Sequence, residues 1–291
     1  MEVPMLRLVI QSVMALLLAS VIAGAAFSRK SLNRSGALAG FLVMAIHFAC
    51  SCRFGALLLV FFFTSSMLTK FGEAKKRSVD EDFKEGGQRN WIQVLANSAL
   101  ASILAMIVAM NTGGQERCLD TKDSTLLTSL IGGVIGHYAC CNGDTWSSEI
   151  GMLSNAQPRL ITTFKKVRKG TNGAVSLEGL LAAAAGGFVI GLAFVVVGWL
   201  TVSCPADVTR KELLVVPIAT FAGLCGSLID SVLGATFQFS GYCSLRKKVV
   251  GRKTASVVRI SGVELLDNNA VNAVSILLTT LLTGLACTHI F

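Results

Sequence analysis

The chain has 291 residues, of which 53% are hydrophobic and only 15% charged, with a net charge of +9. A soluble domain carries roughly 25% charged residues, so an ordinary soluble enzyme is excluded, and apolar stretches approaching the ~20 residues that cross a bilayer point to an all-α, polytopic membrane bundle. The runs are too continuous for an alternating barrel, and the basic residues fall in loops between spans, which marks topology and excludes a nucleic-acid-binding surface.

In chain order, the apolar pattern predicts spans over Met5 to Phe27, Gly36 to Cys50, Arg53 to Leu68, Trp91 to Met110, Thr125 to Cys141, Ser176 to Thr201, Glu212 to Phe239 and Val263 to Ile290. The second and third are short, and Ser51-Cys52-Arg53 between them reads as the turn of a tight hairpin. The whole chain, 1–291, is one transmembrane domain, with cytoplasmic-side loops at 69–90, 142–175 and 240–262. Eight crossings with both termini outside place twenty of the 26 Lys and Arg on one side: three at 28–35, six at 70–89, five at 159–169 and six at 246–259. That asymmetry is the positive-inside pattern. Arg7 precedes the first apolar run, but no small-residue cleavage site precedes Arg29-Lys30, so this span reads as a retained anchor. With no Ser/Arg-rich transit peptide in view, a plasma membrane or endomembrane location is expected over a plastid.

Nine cysteines lie mostly in or beside apolar runs, where Cys behaves as a small hydrophobe. No zinc-type spacing with histidines occurs. Only Cys118 and Cys204 could pair on a non-cytoplasmic face. His47, His137 and His289 share no spacing.

The polar stretch Cys141 to Gly151 follows the fifth span and holds two carboxylates, Asp144 and Glu149, with three hydroxyls. Carboxylates at the end of a span are expensive to desolvate and usually serve a metal or a substrate. If the stretch is helical, Asp144 and Ser148 share one face, and Thr145 and Glu149 the adjacent one. Such an arc of oxygens suits Mg²⁺, which takes one or two carboxylates and leaves the rest to phosphates and water. The plainer reading is that Asp144 caps a helix beginning at Thr145.

Farther along comes the basic glycine loop of Lys165, Lys166, Arg168, Lys169, Gly170, Thr171, Asn172 and Gly173. A helix starting near Ser176 would offer free N–H groups and a positive dipole end to phosphate. The Walker spacing is absent, and the alternative is a basic loop that binds anionic lipid heads. Asp230 lies within the seventh span, where a carboxylate costs at least ~2.5 kcal/mol. It would bind a second metal, take a proton, or form a buried ion pair. Two polar stripes complete the inventory: Asn90, Gln93 and Asn97 in the fourth span, and Asn268, Asn272 and Ser275 beside Asp267 in the eighth. Each either lines a site or supplies interhelical hydrogen bonds. Lys70, at the end of the third span, either reaches a phosphate or snorkels.

The segments Cys140 to Gly151 and Pro158 to Gly173 resemble the transmembrane protein 19 family. So do Ser65 to Lys70, Arg89 to Asn97, Gly226 to Gln238 and Leu266 to Asn272, and the match runs from about Arg29 to the C-terminus. That family includes a plant branch named for a glucose-response phenotype and the phytyl-phosphate kinase of the plastid vitamin E pathway. It resembles the CTP-dependent polyprenol kinases more widely. The resemblance implies Mg-dependent phosphoryl transfer from a nucleoside triphosphate, with CTP as donor, to an isoprenoid alcohol or isoprenyl phosphate held in the bilayer. Asp144 and Glu149 would then hold Mg²⁺, with Asp230 and Asp267 as further catalytic acids. Lys165, Lys169, the Gly170–Gly173 backbone and Lys70 would meet the triphosphate, and Asn97, Asn268 and Asn272 would line the acceptor. Such a transfer needs positioning and charge neutralisation rather than a covalent nucleophile. The competing readings are a transporter or sensor in which Asp230 and the Asn stripes form a solute path, and a signalling scaffold.

Overall fold

The computed structural model describes residues 2–79 and 87–291, so 80–86 of the expected 69–90 loop lie outside the described residues. The elements run α1 (Glu2–Ser28), α2 (Arg34–Cys50), α3 (Cys52–Lys70), α4 (Glu73–Val79), α5 (Trp91–Ala96), α6 (Ala99–Thr112) and α7 (Thr121–Leu153). They continue with β1 (Arg159–Leu160), β2 (Ala174–Val175), α8 (Leu177–Thr201), α9 (Ala206–Glu212), α10 (Val215–Phe237), β3 (Ser240–Cys243), β4 (Lys248–Val250), β5 (Val257–Ser261) and α11 (Asn268–Ile290). Among the described residues, six helices are long and apolar enough to cross a membrane, and α2 and α6 are shorter apolar helices. The protein is a multi-pass helical membrane bundle.

The short second and third spans form the hairpin their sequence implies, because one residue serves both ends. The Ser51 N–H bonds His47 O at 2.9 Å to close α2, and its hydroxyl accepts the Phe54 N–H at 3.3 Å to open α3. The fourth crossing is not one helix. It breaks at Asn97–Ser98 into α5 and α6. Asn90 does not face the bundle interior as a stripe residue; it forms a capping box with Gln93 at the start of α5.

Helix α7 is the spine, packed against α8, α10 and α11. The sequence reading began a loop at Asn142, but the helix continues to Leu153. The reason is close packing. A Cβ on Gly143 would lie 2.7 Å from Gly223 O and 2.9 Å from Ala183 O. Only a glycine lets three backbones approach this closely, and polar side chains on the same turn are satisfied inside the bundle. Asn142 is fully buried; its Nδ2 donates to Gly186 O at 2.9 Å and its Oδ1 accepts from Ser65 Oγ at 3.1 Å. Gly132 and Gly136 pack the same way against Cys287 and Thr283 of α11.

The two ends of the bundle are built differently. At one end Cys118 and Cys204 form a disulfide with Cα atoms 5.9 Å apart. Beside it the buried Arg53 pairs with Glu116 at 3.1 Å and with Glu212 at 3.4 Å. It also donates to Arg117 O and stacks over Phe194. The basic loops gather at the opposite end. Lys70 Nζ donates to Arg29 O at 2.7 Å, and Lys248 Nζ to Arg77 O at 2.8 Å. The stretch expected as a basic loop at 240–262 folds into a small antiparallel sheet in the order β4-β3-β5, while β1 and β2 pair across the 159–175 segment.

Candidate active site

Asp144 does not cap a helix; it sits within α7 and turns toward α10. Ser227 donates its hydroxyl to Asp144 Oδ1 at 3.3 Å, and the Asp230 carboxylate is an electrostatic neighbour of Asp144. Asp230 Oδ2 accepts from Ser275 Oγ of α11 at 3.0 Å. Asn272, with its amide oriented to satisfy both contacts, donates to Asp230 Oδ2 at 3.2 Å and to Asn268 O at 3.0 Å. Three helices thus bring two carboxylates together in a shell of hydroxyl and amide groups. Among the described residues no cation pairs with either acid, and Asp144 Oδ2 and Asp230 Oδ1 accept no hydrogen bond. The packing that makes this possible is again small residues: a Cβ on Gly226 would strike Cys140 Sγ at 2.5 Å.

Glu149 is not part of this pair. Residues five apart on an α-helix point about 140° away from one another, and Glu149 faces α4 instead. Its Oε2 lies 2.6 Å from Lys76 Nζ in a buried ion pair. Lys76 also donates to Leu68 O at 2.5 Å and Thr69 O at 3.2 Å, so it closes the end of α3 as well. Asp144 and Glu149, expected to act together, therefore point apart, and the carboxylate neighbour of Asp144 is Asp230. Among the described residues no group of three His, Cys, Asp or Glu side chains could hold an ion unaided. Two facing carboxylates fit Mg²⁺ with the remaining positions left to water and substrate phosphate.

The glycine loop packs on the same stretch of α10. A Cβ on Gly173 would lie 2.4 Å from Ser231 O and 2.7 Å from Ala235 N, so this φ +74° glycine lets the loop backbone rest one residue past Asp230. Asn172 latches the loop to the start of β3, its N–H donating to Ser240 Oγ at 2.9 Å and its Nδ2 to Phe239 O at 3.1 Å. Thr171 is buried and donates to Arg168 O at 2.7 Å. Both side chains hold the loop's shape, and its backbone is engaged as well: the Thr171 N–H donates to Arg168 O at 3.3 Å and Gly173 O accepts the Ile161 N–H at 3.0 Å. Gly170 turns the chain at φ +82°. Lys165 is exposed.

Lys169 donates to Ser154 O, just past the end of α7, and Lys75 donates to Leu153 O at 2.6 Å. Two ammonium groups thus meet the negative end of the longest helix. Burial, and then the Lys75 charge, hold the Lys169 pKa below the ordinary lysine value against the pull of Glu178. Ten residues separate Asp144 from Ser154, about 15 Å along the helix axis. Lys169 shares the bundle end with the acids but does not touch them.

The other expected residues lie elsewhere. Lys70 is tied to Arg29 O and to Ser31 Oγ. Asp267 is exposed and caps α11 by accepting the Ala270 N–H at 2.8 Å, so its carboxylate serves the helix end. Asn268 touches the acids only through Asn272. Asn97 faces a separate cavity among α1, α2 and α3, and its carbonyl accepts from His137 Nε2 at 2.9 Å. Ser227 was missed as a site residue, although its place three before Asp230 puts it on the same helical face.

The chain is 62% identical over 279 residues to Protein PGR of Arabidopsis thaliana, covering 96% of this chain and 97% of that one. It is 31% identical over 245 residues to an uncharacterized membrane protein of Methanocaldococcus jannaschii, covering 83% and 89%. To Protein VTE6, chloroplastic, of Arabidopsis thaliana it is 29% identical over 210 residues, covering 71% of this chain and 56% of that protein. No solved structure matches. A family model matches residues 17–280, which take in both acids, the glycine loop and every spanning helix that surrounds them. The chain belongs to the integral membrane protein DUF92 family.

Proposed function

We propose that this protein is a membrane-embedded phosphotransferase that moves a phosphoryl group from a nucleoside triphosphate, CTP by resemblance, to an isoprenoid alcohol or isoprenyl phosphate. The observation that carries the reading is the pair Asp144 and Asp230, electrostatic neighbours from α7 and α10 whose hydrogen-bond partners among the described residues are hydroxyl and amide groups. Like charges held together in a poorly solvated place are costly unless a cation or proton joins them. The motif resemblance to a family with a phytyl-phosphate kinase, and the likeness to VTE6, support the same direction.

On this reading Asp144 and Asp230 would hold Mg²⁺, which would supply charge neutralisation at the transferring phosphate. Ser227 and Ser275 keep the two carboxylates in place by occupying their other oxygens. The Gly170–Gly173 loop, packed on α10 one residue past Asp230, would border the triphosphate there. Lys169, farther along, meets the outer part of the nucleotide after releasing Ser154 O. Glu149 and Lys76 are structural, joining α7 to α4. A plastid membrane suits this activity as well as an endomembrane does.

The test is product formation by the purified protein in detergent with CTP, Mg²⁺ and a C20 prenol or prenyl monophosphate. Turnover that vanishes in Asp144→Asn and in Asp230→Asn, and survives in Glu149→Gln, is the expected result. Full turnover in Asp144→Asn, or no metal-dependent turnover with any prenyl acceptor, overturns the reading.

A further inference from the structure

A cavity opens among α1, α2, α3 and the segment that leads into and through α5. Three of its walls are apolar, with Ile22, Val43, Leu58 and Phe61 among their residues. The fourth is a polar line made by Arg89, Gln93 and Asn97, four residues apart in each step. Arg89 is the only charged residue that lines it. Its Nη1 donates to Ser66 Oγ at 2.9 Å, and its guanidinium stands 6.0 Å from the Phe62 ring.

Among the described residues no carboxylate ion-pairs with Arg89. Glu149 acts on it electrostatically, but the Glu149 carboxylate is already held by Lys76 at 2.6 Å. An arginine placed at the edge of an apolar cavity without its own counter-ion is expensive unless a ligand completes it. The guanidinium fork is shaped for the paired oxygens of a phosphate. Cys141 of α7 is an electrostatic neighbour of both Arg89 and Asp144.

We propose that this cavity is a lipid-chain site, taking the apolar tail of a single-chain lipid phosphate while Arg89 grips the phosphate end. The walls come from α1, α2, α3 and the α5 segment, and the single cation among them matches a single phosphate group. This deepens the phosphotransferase reading and rests on it in one respect: the acceptor then arrives with a phosphate already attached, held by Arg89.

Binding is measured without nucleotide, on the full-length protein in detergent, with a C20 isoprenyl monophosphate as probe. The C20 alcohol and dioleoyl phosphatidate serve as competitors. The monophosphate should bind, the alcohol should be at least tenfold weaker, and phosphatidate should not compete. Arg89→Ala should weaken binding at least tenfold, with Arg89→Lys recovering part of the loss. Ala26→Phe, which fills the cavity from α1 and leaves Arg89 in place, should block binding in protein that still elutes as a folded species. Undiminished binding in either Arg89→Ala or Ala26→Phe overturns the proposal, and equal binding of the alcohol does the same. Equal competition by phosphatidate replaces it with a general headgroup site. Failure of the larger reading looks different. If binding passes these tests and no nucleotide-dependent transfer is found, the chain site stands and the phosphotransferase does not. If transfer proceeds with an unchanged KM in Arg89→Ala, the reverse holds.

Discussion

The two ends of this bundle treat buried charge in opposite ways. At the disulfide end, Arg53 is matched by Glu116 and Glu212, and Glu212 also accepts the Leu119 N–H at 2.9 Å. Each member of this buried group has an opposite partner, and the group locks the α2–α3 hairpin to the loops around α7 and α9. At the basic end, Asp144 and Asp230 have only neutral donors for company. Neutralised charges hold a fold together, whereas like charges left facing one another are an unfinished site that a cation or substrate completes. Glu149 shows the contrast within one helix: five residues past Asp144, it is already paired with Lys76.

If that distinction is right, mutations at the two ends should separate stability from chemistry. The largest expected effect is on turnover. Asp144→Asn or Asp230→Asn should lower metal-dependent transfer by about 10³-fold, as loss of a group that stabilises transition-state charge does, with little change in the unfolding temperature. A loss of folded protein instead would put these acids with the structural ones. Next comes Arg53→Ala, which strands Glu212 without its partner and should cost about 3–5 kcal/mol of stability, read as a fall in thermal unfolding temperature. The turnover of the surviving folded fraction should be unchanged. Cys118→Ser opens a link between residues 86 apart and should cost about 2–4 kcal/mol, again without altering turnover per folded molecule.

The smallest effect concerns pH. The Lys169 pKa is lowered by burial and by Lys75, with Glu178 opposing. Its ammonium is therefore lost, as pH rises, before an ordinary lysine would lose its own. Nucleotide affinity should fall on the alkaline side by a few-fold, and Lys169→Arg should extend the plateau to higher pH. An identical alkaline limb in the arginine variant would remove Lys169 from the nucleotide site.

The crossings were legible because a bilayer imposes length and apolarity on any helix that spans it, and the side of each loop followed from its lysines and arginines. Asp230, Asn272 and Ser275 could be singled out because their polar side chains interrupt apolar runs. Their meeting could not, since it depends on how α10 and α11 are rotated about α7. The extension of α7 past Asn142 was hidden because Gly143 and the hydroxyls beside it look like a turn. Only the packing of Gly143 on Gly223 and Ala183 shows why they are helical. The Glu149–Lys76 pair joins residues more than seventy positions apart through a seven-residue helix that has no strong signal of its own. The β3–β5 sheet escaped notice because its strands are short and the turns between them carry most of the segment's lysines and arginines.

The bridge from Cys118 to Cys204 also dates and orients the protein in the cell. Such a bond persists where the surroundings oxidise thiols, so a bridge found intact would turn that face toward an oxidising compartment. Cys140 and Cys141, deep in α7 near the opposite end, keep their thiols free. A maleimide that cannot cross membranes, applied to sealed vesicles of each orientation before and after reduction, would report which way round the chain sits, independently of any assay of what it makes.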